Sequence, residues 1–298
     1  MTKVIELGYL GFNASNLEQW HDFATRCVGL EVASDTTEDC LFLRMDNHHH
    51  RIAIHQSDED DMSYMGWRVA TEQDLHAMAN KLAEAGIEYR MASVDEIRER
   101  RVLGLIKLHD PSGIPTEIFW SPQVDVMKPF HPPRPMYGKF VTGSQGLGHV
   151  LIRADDNEAT YKFYELLGLS GSVEYRIAMP NGAVAQPIFM TCNDRQHNIA
   201  FGLPGMEKNI NHLMLEYDHL NDLGISHDKV RSQGIDVALQ LGMHANDKLY
   251  TFYCASPSKW LLELGFGEDY KPLAQEHYIG DIFGHHIEKS GYGMDLPL

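Results

Sequence analysis

The sequence contains few cysteines, few basic residues and no long apolar run, and each shortage disfavours a class of protein. Its four cysteines are scattered without a CxxC pair, which predicts reduced thiols in a cytoplasmic protein rather than a disulfide framework. Lys and Arg number 25 against 42 Asp and Glu, and the net charge of -17 makes nucleic acid and anionic lipid poor partners. No stretch approaches the ~20 apolar residues of a membrane span, and no cleavable apolar run begins the chain.

Glycine-rich phosphate-binding motifs are missing as well, because neither GxGxxG nor GxxxxGK[ST] occurs. The sequence therefore gives no sign of a nucleotide site, and a small, weakly charged ligand fits the composition better. The 298 residues, 43% of them hydrophobic, can fill about two domains of roughly 150 residues each.

An internal repeat divides the chain into two halves. The segments IELGYLGF near the start and GLGHVLIR in the middle each lead from a strand pattern into a helical pattern. Each half continues with an apolar strand, a helix ended by a glycine, and a closing hairpin. In these hairpins Pro111 and Glu117 have the same spacing as Pro257 and Glu263.

A proline-rich passage, MKPFHPPRPMYGKF, separates the two halves, because closely spaced prolines forbid regular helix and central strand. We therefore predict a structural, metal-free domain over residues 1–135 and a catalytic domain with a C-terminal tail over residues 136–298. Each domain is expected to contain two βαβββ modules, four in total, whose mixed sheets curl around a cavity in an α+β fold.

Comparison of the two halves identifies candidate metal ligands. Three strands of the second half carry His149, His212 and Glu263, whereas the first half is interpreted as having Tyr9, Trp67 and Glu117 at those positions. Two imidazoles and one carboxylate on one face suit iron(II) in oxygen-activating enzymes, because three adjacent coordination positions stay open. Glu263 lies in the apolar segment LLELGF, where an unpaired carboxylate would be costly.

Each candidate also has a structural interpretation. A lone histidine in an apolar strand is more often a hydrogen-bonded core residue, so the metal hypothesis depends on all three side chains together. We expect Glu117, which lacks histidine partners, to pair with protein donors. His48, His49 and His50 are interpreted as structural or surface residues, because adjacent strand residues face opposite ways.

Three residues of the second half remain ambiguous on spacing alone. His197 and His244 lie near strand segments and are equally compatible with acid–base roles or with hydrogen-bonded strand edges. Tyr253 fits either a hydrogen-bond donor to the cavity or a core residue.

Over almost its whole length the chain resembles the type I extradiol dioxygenases of the vicinal oxygen chelate superfamily. The segments that carry the resemblance are FLRMDNHHHRIAIH, GWRVA, VLGLIKLHDPSGIPTEIFW, GKFVTGSQGLGHVLIR, HLMLEY, LQLGMHANDKLYTFY and YIGDIFGHHIEKSGYGMD. The resemblance implies the vicinal oxygen chelate fold and iron(II)-dependent ring opening of a polycyclic or biaryl catechol by dioxygen, in aromatic hydrocarbon degradation. It implies 1,2-dihydroxynaphthalene as the preferred substrate and 2,3-dihydroxybiphenyl as the alternative.

The resemblance also implies roles for individual residues. Iron is assigned to His149, His212 and Glu263, and His197 matches the active-site acid–base histidine. The residues matching the groups that bind the substrate oxygens, and the loop beside them, are His244, Tyr253, Asn246 and Asp247. A homo-oligomer is implied too, with an octamer as its candidate size.

The sequence departs from the family pattern at two positions. Lys259 replaces a usual glycine in the hairpin before Glu263, and Gln196 stands where biphenyl-cleaving members often have a second histidine. Two rival functions share the fold: a glyoxalase-like metal isomerase and a non-catalytic ligand-binding protein. Whether the tail from Tyr278 onward covers the site is left open by the sequence.

Overall fold

A computed structural model describes residues 2–178, 184–269, 277–278 and 280–294. Its first half forms an eight-stranded mixed sheet and its second half a nine-stranded one. The strands of the first half are β1 (Glu6–Ala14), β2 (Glu31–Val32), β3 (Cys40–Arg44), β4 (Ile52–Gln56), β5 (Met62–Arg68), β6 (Tyr89–Met91), β7 (Gly104–His109) and β8 (Pro115–Trp120). Its helices are α1 (Leu17–Asp22), continued by a π-helical turn (Phe23–Val28), α2 (Glu72–Glu84) and α3 (Val94–Glu99).

The second half repeats this series with additions. Its strands are β9 (His149–Ile152), β10 (Ser170–Tyr175), β11 (Ile177–Ala178), β12 (Val184–Ala185), β13 (Ile188–Thr191), β14 (Ile199–Phe201), β15 (Ile210–Tyr217), β16 (Val237–Met243), β17 (Tyr250–Ala255), β18 (Leu261–Phe266) and β19 (His277–Tyr278). Its helices are α4 (Asn157–Leu167) and α5 (Leu220–Ser232), and a 3-10 turn (Gly143–Gln145) precedes β9.

The two sheets have the same strand order. The first runs β2-β3-β4-β1-β5-β8-β7-β6, and the second runs β10-β13-β14-β9-β15-β18-β17-β16, with β19 added beside β10. The strand that begins each half has one parallel and one antiparallel neighbour. These neighbours are β4 and β5 for β1, and β14 and β15 for β9. The predicted repeat of βαβββ modules in an α+β fold is confirmed. The domain boundary at residues 135 and 136 stays a prediction.

Local sequence signals explain where the helices begin and end. The Asp156 side chain accepts a hydrogen bond from the backbone N–H of Ala159 at the start of α4, and Gly168 ends that helix with φ 103°. Lys259 has φ 66°, in the left-handed region that Gly113 occupies with φ 80° in the hairpin of the first half. The lysine therefore leaves the turn before Glu263 unchanged, at the expense of backbone strain.

A continuous hydrophobic core joins the two halves. Phe12 of the first half stacks on Trp260 of the second with ring centroids 4.5 Å apart. Trp20 packs against the same ring and donates from its indole N–H to Ser258 Oγ over 2.9 Å. Among the residues the structure describes, no helix combines the length and the apolar content needed to cross a bilayer.

Candidate metal centre and active site

Three neighbouring strands of the second sheet bring the candidate ligands together. Met214 in β15 pairs with His149 of β9 on one side and with Glu263 of β18 on the other. His212 lies two residues before Met214. The Nε2 atoms of His149 and His212 are 3.1 and 3.4 Å from Glu263 Oε2. The three side chains are buried, and their ligand-type atoms all lie within 4.8 Å of one another.

The chemistry of this group fits a divalent metal ion. Burial alone would raise the pKa of Glu263, but hydrogen bonds and charge from the surrounding histidines hold that pKa well below its usual value. Burial lowers the pKa of His212 to about 3, so its imidazole is neutral, as a metal ligand must be. Two imidazoles and one carboxylate match the ligand set of non-haem iron(II) oxygenases.

His197 lies directly beside this group. Its ring centroid is 3.8 Å from that of His149, and its Nδ1 is 2.6 Å from Gln196 Oε1. The same amide oxygen accepts from Asn246 Nδ2 over 3.3 Å. Gln196 Oε1 is thus an acceptor, which places the His197 proton on Nδ1. Burial and the neighbouring His149 hold the pKa of His197 well below its usual value.

His244 and Tyr253 lie on the other side of Glu263. Tyr253 pairs with Glu263 across β17 and β18, and its hydroxyl is 2.8 Å from His244 Nε2. His244 Nε2 is also 3.3 Å from Glu263 Oε1. Burial lowers the pKa of His244, but hydrogen bonds to Asp281 and Glu263 outweigh burial and raise it well above its usual value. Burial and the charge of Glu263 raise the pKa of Tyr253, which keeps the phenol protonated.

Asn246 and Asp247 follow in the loop between β16 and β17. Asn246 accepts from the Tyr175 hydroxyl over 3.2 Å and connects it to Gln196. Asp247 is fully buried, and burial raises its pKa. Its Oδ2 has no hydrogen-bond partner among the described residues and lies 4.0 Å from His197 Nδ1.

A cavity opens over these side chains and has two kinds of wall. Polar groups of the candidate site form one side. The other is apolar and is formed by Leu151, Ile177, Pro187, Phe189, Leu203, Leu239 and Met294. Met294 and Asp281 belong to the C-terminal tail, so the tail does cover part of the site, the question that the sequence left open.

The first half contains a closed counterpart of this site. Gly66 in β5 pairs with Tyr9 of β1 and with Glu117 of β8, as Met214 pairs with His149 and Glu263. The position equivalent to His212 is therefore Tyr64, and the assignment of Trp67 to it was wrong. Trp67 lies one residue beyond Gly66 and is buried in the core.

A guanidinium group lies where the second half would hold a metal. Arg100 donates from Nε to Glu117 Oε2 over 2.9 Å and from Nη2 to Oε1 over 3.1 Å, and it covers the Tyr64 ring at 3.6 Å. Glu117 also accepts from the Tyr9 hydroxyl over 2.6 Å, and Lys107 Nζ approaches to 3.3 Å. The prediction that Glu117 pairs with protein donors is confirmed.

The histidine run 48–50 is structural, but two of its members are not on the surface. His49 and His50 are each 6% exposed, and their Nδ1 atoms are 3.0 Å apart. They can converge because the chain bends before β4 instead of running extended. His50, two residues before Ile52, matches His197, two residues before Ile199, since these isoleucines pair with Leu10 and Val150.

Sequence reasoning did not find Asp281 and His285, which contact the site from the tail. Asp281 Oδ1 and Oδ2 are each 2.8 Å from a histidine Nδ1, on His244 and on His285 respectively. No spacing rule connects these residues to the strands of the repeat. The recurring pattern His-Xaa-Ile-Ala at His50 and His197 was visible in the sequence and would have identified that pair.

Comparisons with known proteins agree along the whole chain. Residues 7–56 match the family described as dihydroxybiphenyl dioxygenase BphC D1, and residues 146–264 match the glyoxalase/bleomycin resistance protein/dioxygenase superfamily. The chain is 60% identical to biphenyl-2,3-diol 1,2-dioxygenase of Sphingomonas paucimobilis and 58% identical to 1,2-dihydroxynaphthalene dioxygenase of Sphingobium xenophagum, with 100% of every chain covered. A crystal structure of catechol 2,3-dioxygenase is 58% identical and superposes with a TM-score of 0.98, covering 100% of this chain and 99% of the other.

Proposed function

Because the chain belongs to the type I extradiol dioxygenases of the vicinal oxygen chelate superfamily, we propose that it cleaves 1,2-dihydroxynaphthalene at an iron(II) centre held by His149, His212 and Glu263. The observation that carries this proposal is the convergence of two buried imidazoles and a buried carboxylate at the base of an apolar cavity. Bound iron(II) would supply the positive charge that favours an ionised catechol and adjacent positions for diol and dioxygen.

The surrounding side chains are placed to handle protons. His244 and Tyr253, whose Nε2 and hydroxyl are 2.8 Å apart beside Glu263, would form hydrogen bonds with the oxygen atoms of the bound diol. His197 would act from the other side, beside His149. With its Nδ1 proton donated to Gln196, its Nε2 is free to exchange a proton with oxygen during ring opening.

Asn246 and Asp247 would complete the substrate-binding loop. Asn246 helps to orient Gln196 through a 3.3 Å hydrogen bond, and Tyr175 fixes Asn246 in turn. Asp247 carries an unpartnered buried oxygen near His197, which suits it to accept a hydrogen bond from bound substrate or water.

The apolar wall supports a substrate with more than one ring. The wall that includes Phe189, Leu203 and Met294 would bury the hydrocarbon part of a catechol, and a second ring would bury more apolar surface than a single ring. Gln196 in place of a second histidine favours the naphthalene diol. The alternative is 2,3-dihydroxybiphenyl, supported by the relative named for biphenyl-2,3-diol at 60% identity.

The two rival functions are disfavoured on specific grounds. A glyoxalase-like isomerase finds support only in the fold, since the chain is 18% identical to a Mn(II)-bound glyoxalase that it resembles in structure. A non-catalytic binding protein has no need for a buried carboxylate between two histidines. Burying that carboxylate would destabilise the fold without contributing to ligand binding.

Anaerobic reconstitution with iron(II) tests the ligand assignment. We expect His212→Ala to lose iron and turnover, because only two of the three protein ligands would remain. Tyr64→Phe alters the equivalent position of the first half and is the matched control, with wild-type iron content expected. An active, iron-replete His212→Ala would contradict the assignment. The oxygen-uptake rates with 1,2-dihydroxynaphthalene and 2,3-dihydroxybiphenyl rank the two substrates, and a faster biphenyl diol would overturn the substrate choice.

We further propose a homo-oligomer, with an octamer as the candidate size, located in the cytoplasm. Exposed apolar side chains in the segment between β8 and β9 support association: Val126 is 77% exposed and Met127 is 94% exposed. Light scattering coupled to size exclusion would give the mass, and a monomer of 33.8 kDa would contradict the proposal.

A further inference from the structure

The tail segment 280–294 lies against the strand that leads to His244. Backbone bridges join it to β16 at two points. At Gly242 the approach is so close that an added Cβ would meet the backbone nitrogen of His285 at 2.5 Å. Because Gly242 has no Cβ, the backbone of the tail can lie directly against β16, next to the active site.

Asp281 connects this tail to the site. Its side chain is 10% exposed, and Oδ1 lies 2.8 Å from His244 Nδ1. Its second oxygen, Oδ2, lies 2.8 Å from His285 Nδ1, and His285 Nε2 lies 3.2 Å from the backbone carbonyl oxygen of Thr251. Asp281 is thus held on one side by a buried tail histidine and faces an active-site histidine on the other.

These contacts determine where His244 carries its proton. An ionised carboxylate only accepts hydrogen bonds, so the His244 Nδ1 that faces Asp281 must be protonated. The other ring nitrogen, Nε2, then points at the Tyr253 hydroxyl and Glu263, 2.8 and 3.3 Å away. We propose that Asp281 is a positioning residue that holds the His244 ring in this orientation, so that Nε2 faces the oxygen atoms of the bound diol beside Tyr253. This inference rests on the proposed function.

A second metal site is the competing explanation, since His244, Asp281 and His285 form a group that could hold a cation. The geometry favours hydrogen bonds instead. Nitrogen and oxygen atoms 2.8 Å apart are at ordinary hydrogen-bond separation, and both nitrogens of His285 already face acceptors. Each ring nitrogen of His244 and His285 and each carboxylate oxygen of Asp281 already has a hydrogen-bond partner, so none of them needs a cation.

Asp281→Asn is the variant that separates positioning from mere packing. It keeps the shape of the side chain, but an amide can accept from only one of the two imidazoles and presents N–H groups to the other. Asp281→Glu restores a carboxylate. Glu288→Gln is the matched control, because Glu288 neutralises Arg231 from the same tail with 2.6 and 2.7 Å contacts and does not touch His244.

The experiment measures iron content, kcat per bound iron and KM for 1,2-dihydroxynaphthalene, together with the difference spectrum of the diol bound without oxygen. For Asp281→Asn we expect wild-type iron content, a kcat per iron lower by about 10- to 100-fold, and a smaller fraction of ionised diol. Asp281→Glu should recover part of the loss. Glu288→Gln should stay within about twofold of wild type on every measure.

Two outcomes would overturn the inference alone. One is an active wild type beside an Asp281→Asn variant with unchanged kcat and an unchanged diol spectrum. The other is an equal loss in Asp281→Asn and Glu288→Gln, which would mean that the tail acts only by packing. A wild type that takes up no oxygen with either diol would overturn the proposed function, and this inference with it.

Discussion

Replacing Arg100 with methionine would show that a guanidinium takes the place of a metal ion in the first half. The substitution leaves Glu117, which is fully buried, with only the Tyr9 hydroxyl and Lys107 as partners. Removing one member of a buried ion pair costs about 3–5 kcal/mol. Because two partners remain, we expect about 3 kcal/mol, the lower end of that range.

A double-mutant cycle gives the magnitude a direct check. Arg100→Met combined with Glu117→Gln removes both charges, and because a buried pair is often replaceable by uncharged residues, we expect a cost of about 1 kcal/mol. Equilibrium urea unfolding measures the free energies, and iron content and oxygen uptake should stay at wild-type values. A loss below about 1 kcal/mol for Arg100→Met, or strict additivity in the cycle, would refute the reasoning.

Three further predictions concern other residues. Lys259→Gly should raise the free energy of unfolding by about 0.5–1 kcal/mol, because φ 66° strains any residue except glycine, whereas Gly113→Lys at φ 80° should lower it. Burial raises the pKa of Glu268 to about 8, although the charge of Arg195 acts to lower it. The folded protein therefore keeps a proton on Glu268 at pH values above the ordinary pKa of 4.5, where the unfolded chain loses it. The free energy of unfolding should therefore fall as the pH rises between these two pKa values, by up to about 1.4 kcal/mol per pH unit. Urea unfolding at a series of pH values should show a weaker dependence for Glu268→Gln. His197→Ala should retain iron but lose about 10²- to 10⁴-fold in kcat.

Each of these predictions has a contrary result. A destabilised Lys259→Gly would mean that the lysine makes contacts worth more than its strain. Equal pH slopes for wild type and Glu268→Gln would show that Glu268 is ionised in the folded protein. Full turnover in His197→Ala would remove its acid–base role.

The internal repeat made much of the fold predictable from sequence, because the same strand and helix patterns recur with the same spacing. It also led to the ligand trio, since only one half has histidines at two of the three positions. The error at Trp67 has a physical cause. β15 is buried at every position and β5 at most of its positions, so the apolar pattern alone does not fix their register, and the prediction was wrong by three residues.

The contacts of the tail could not be predicted in the same way. Asp281 is 37 residues from His244 along the chain, and no periodic pattern connects them. Arg100 was also unforeseen, because it follows the short helix α3 and lies outside the strands that the repeat compares. Both residues are identified only when the folded chain brings their charged ends to a buried partner.

Oxygen uptake by the iron(II)-reconstituted protein with 1,2-dihydroxynaphthalene under ¹⁸O₂, followed by mass spectrometry of the product, would show whether the protein inserts both atoms of dioxygen into the diol. We predict that one dioxygen is consumed per diol and that both labelled atoms appear in a ring-opened product. Bound iron without oxygen uptake from either diol, or a product carrying a single labelled atom, would contradict it.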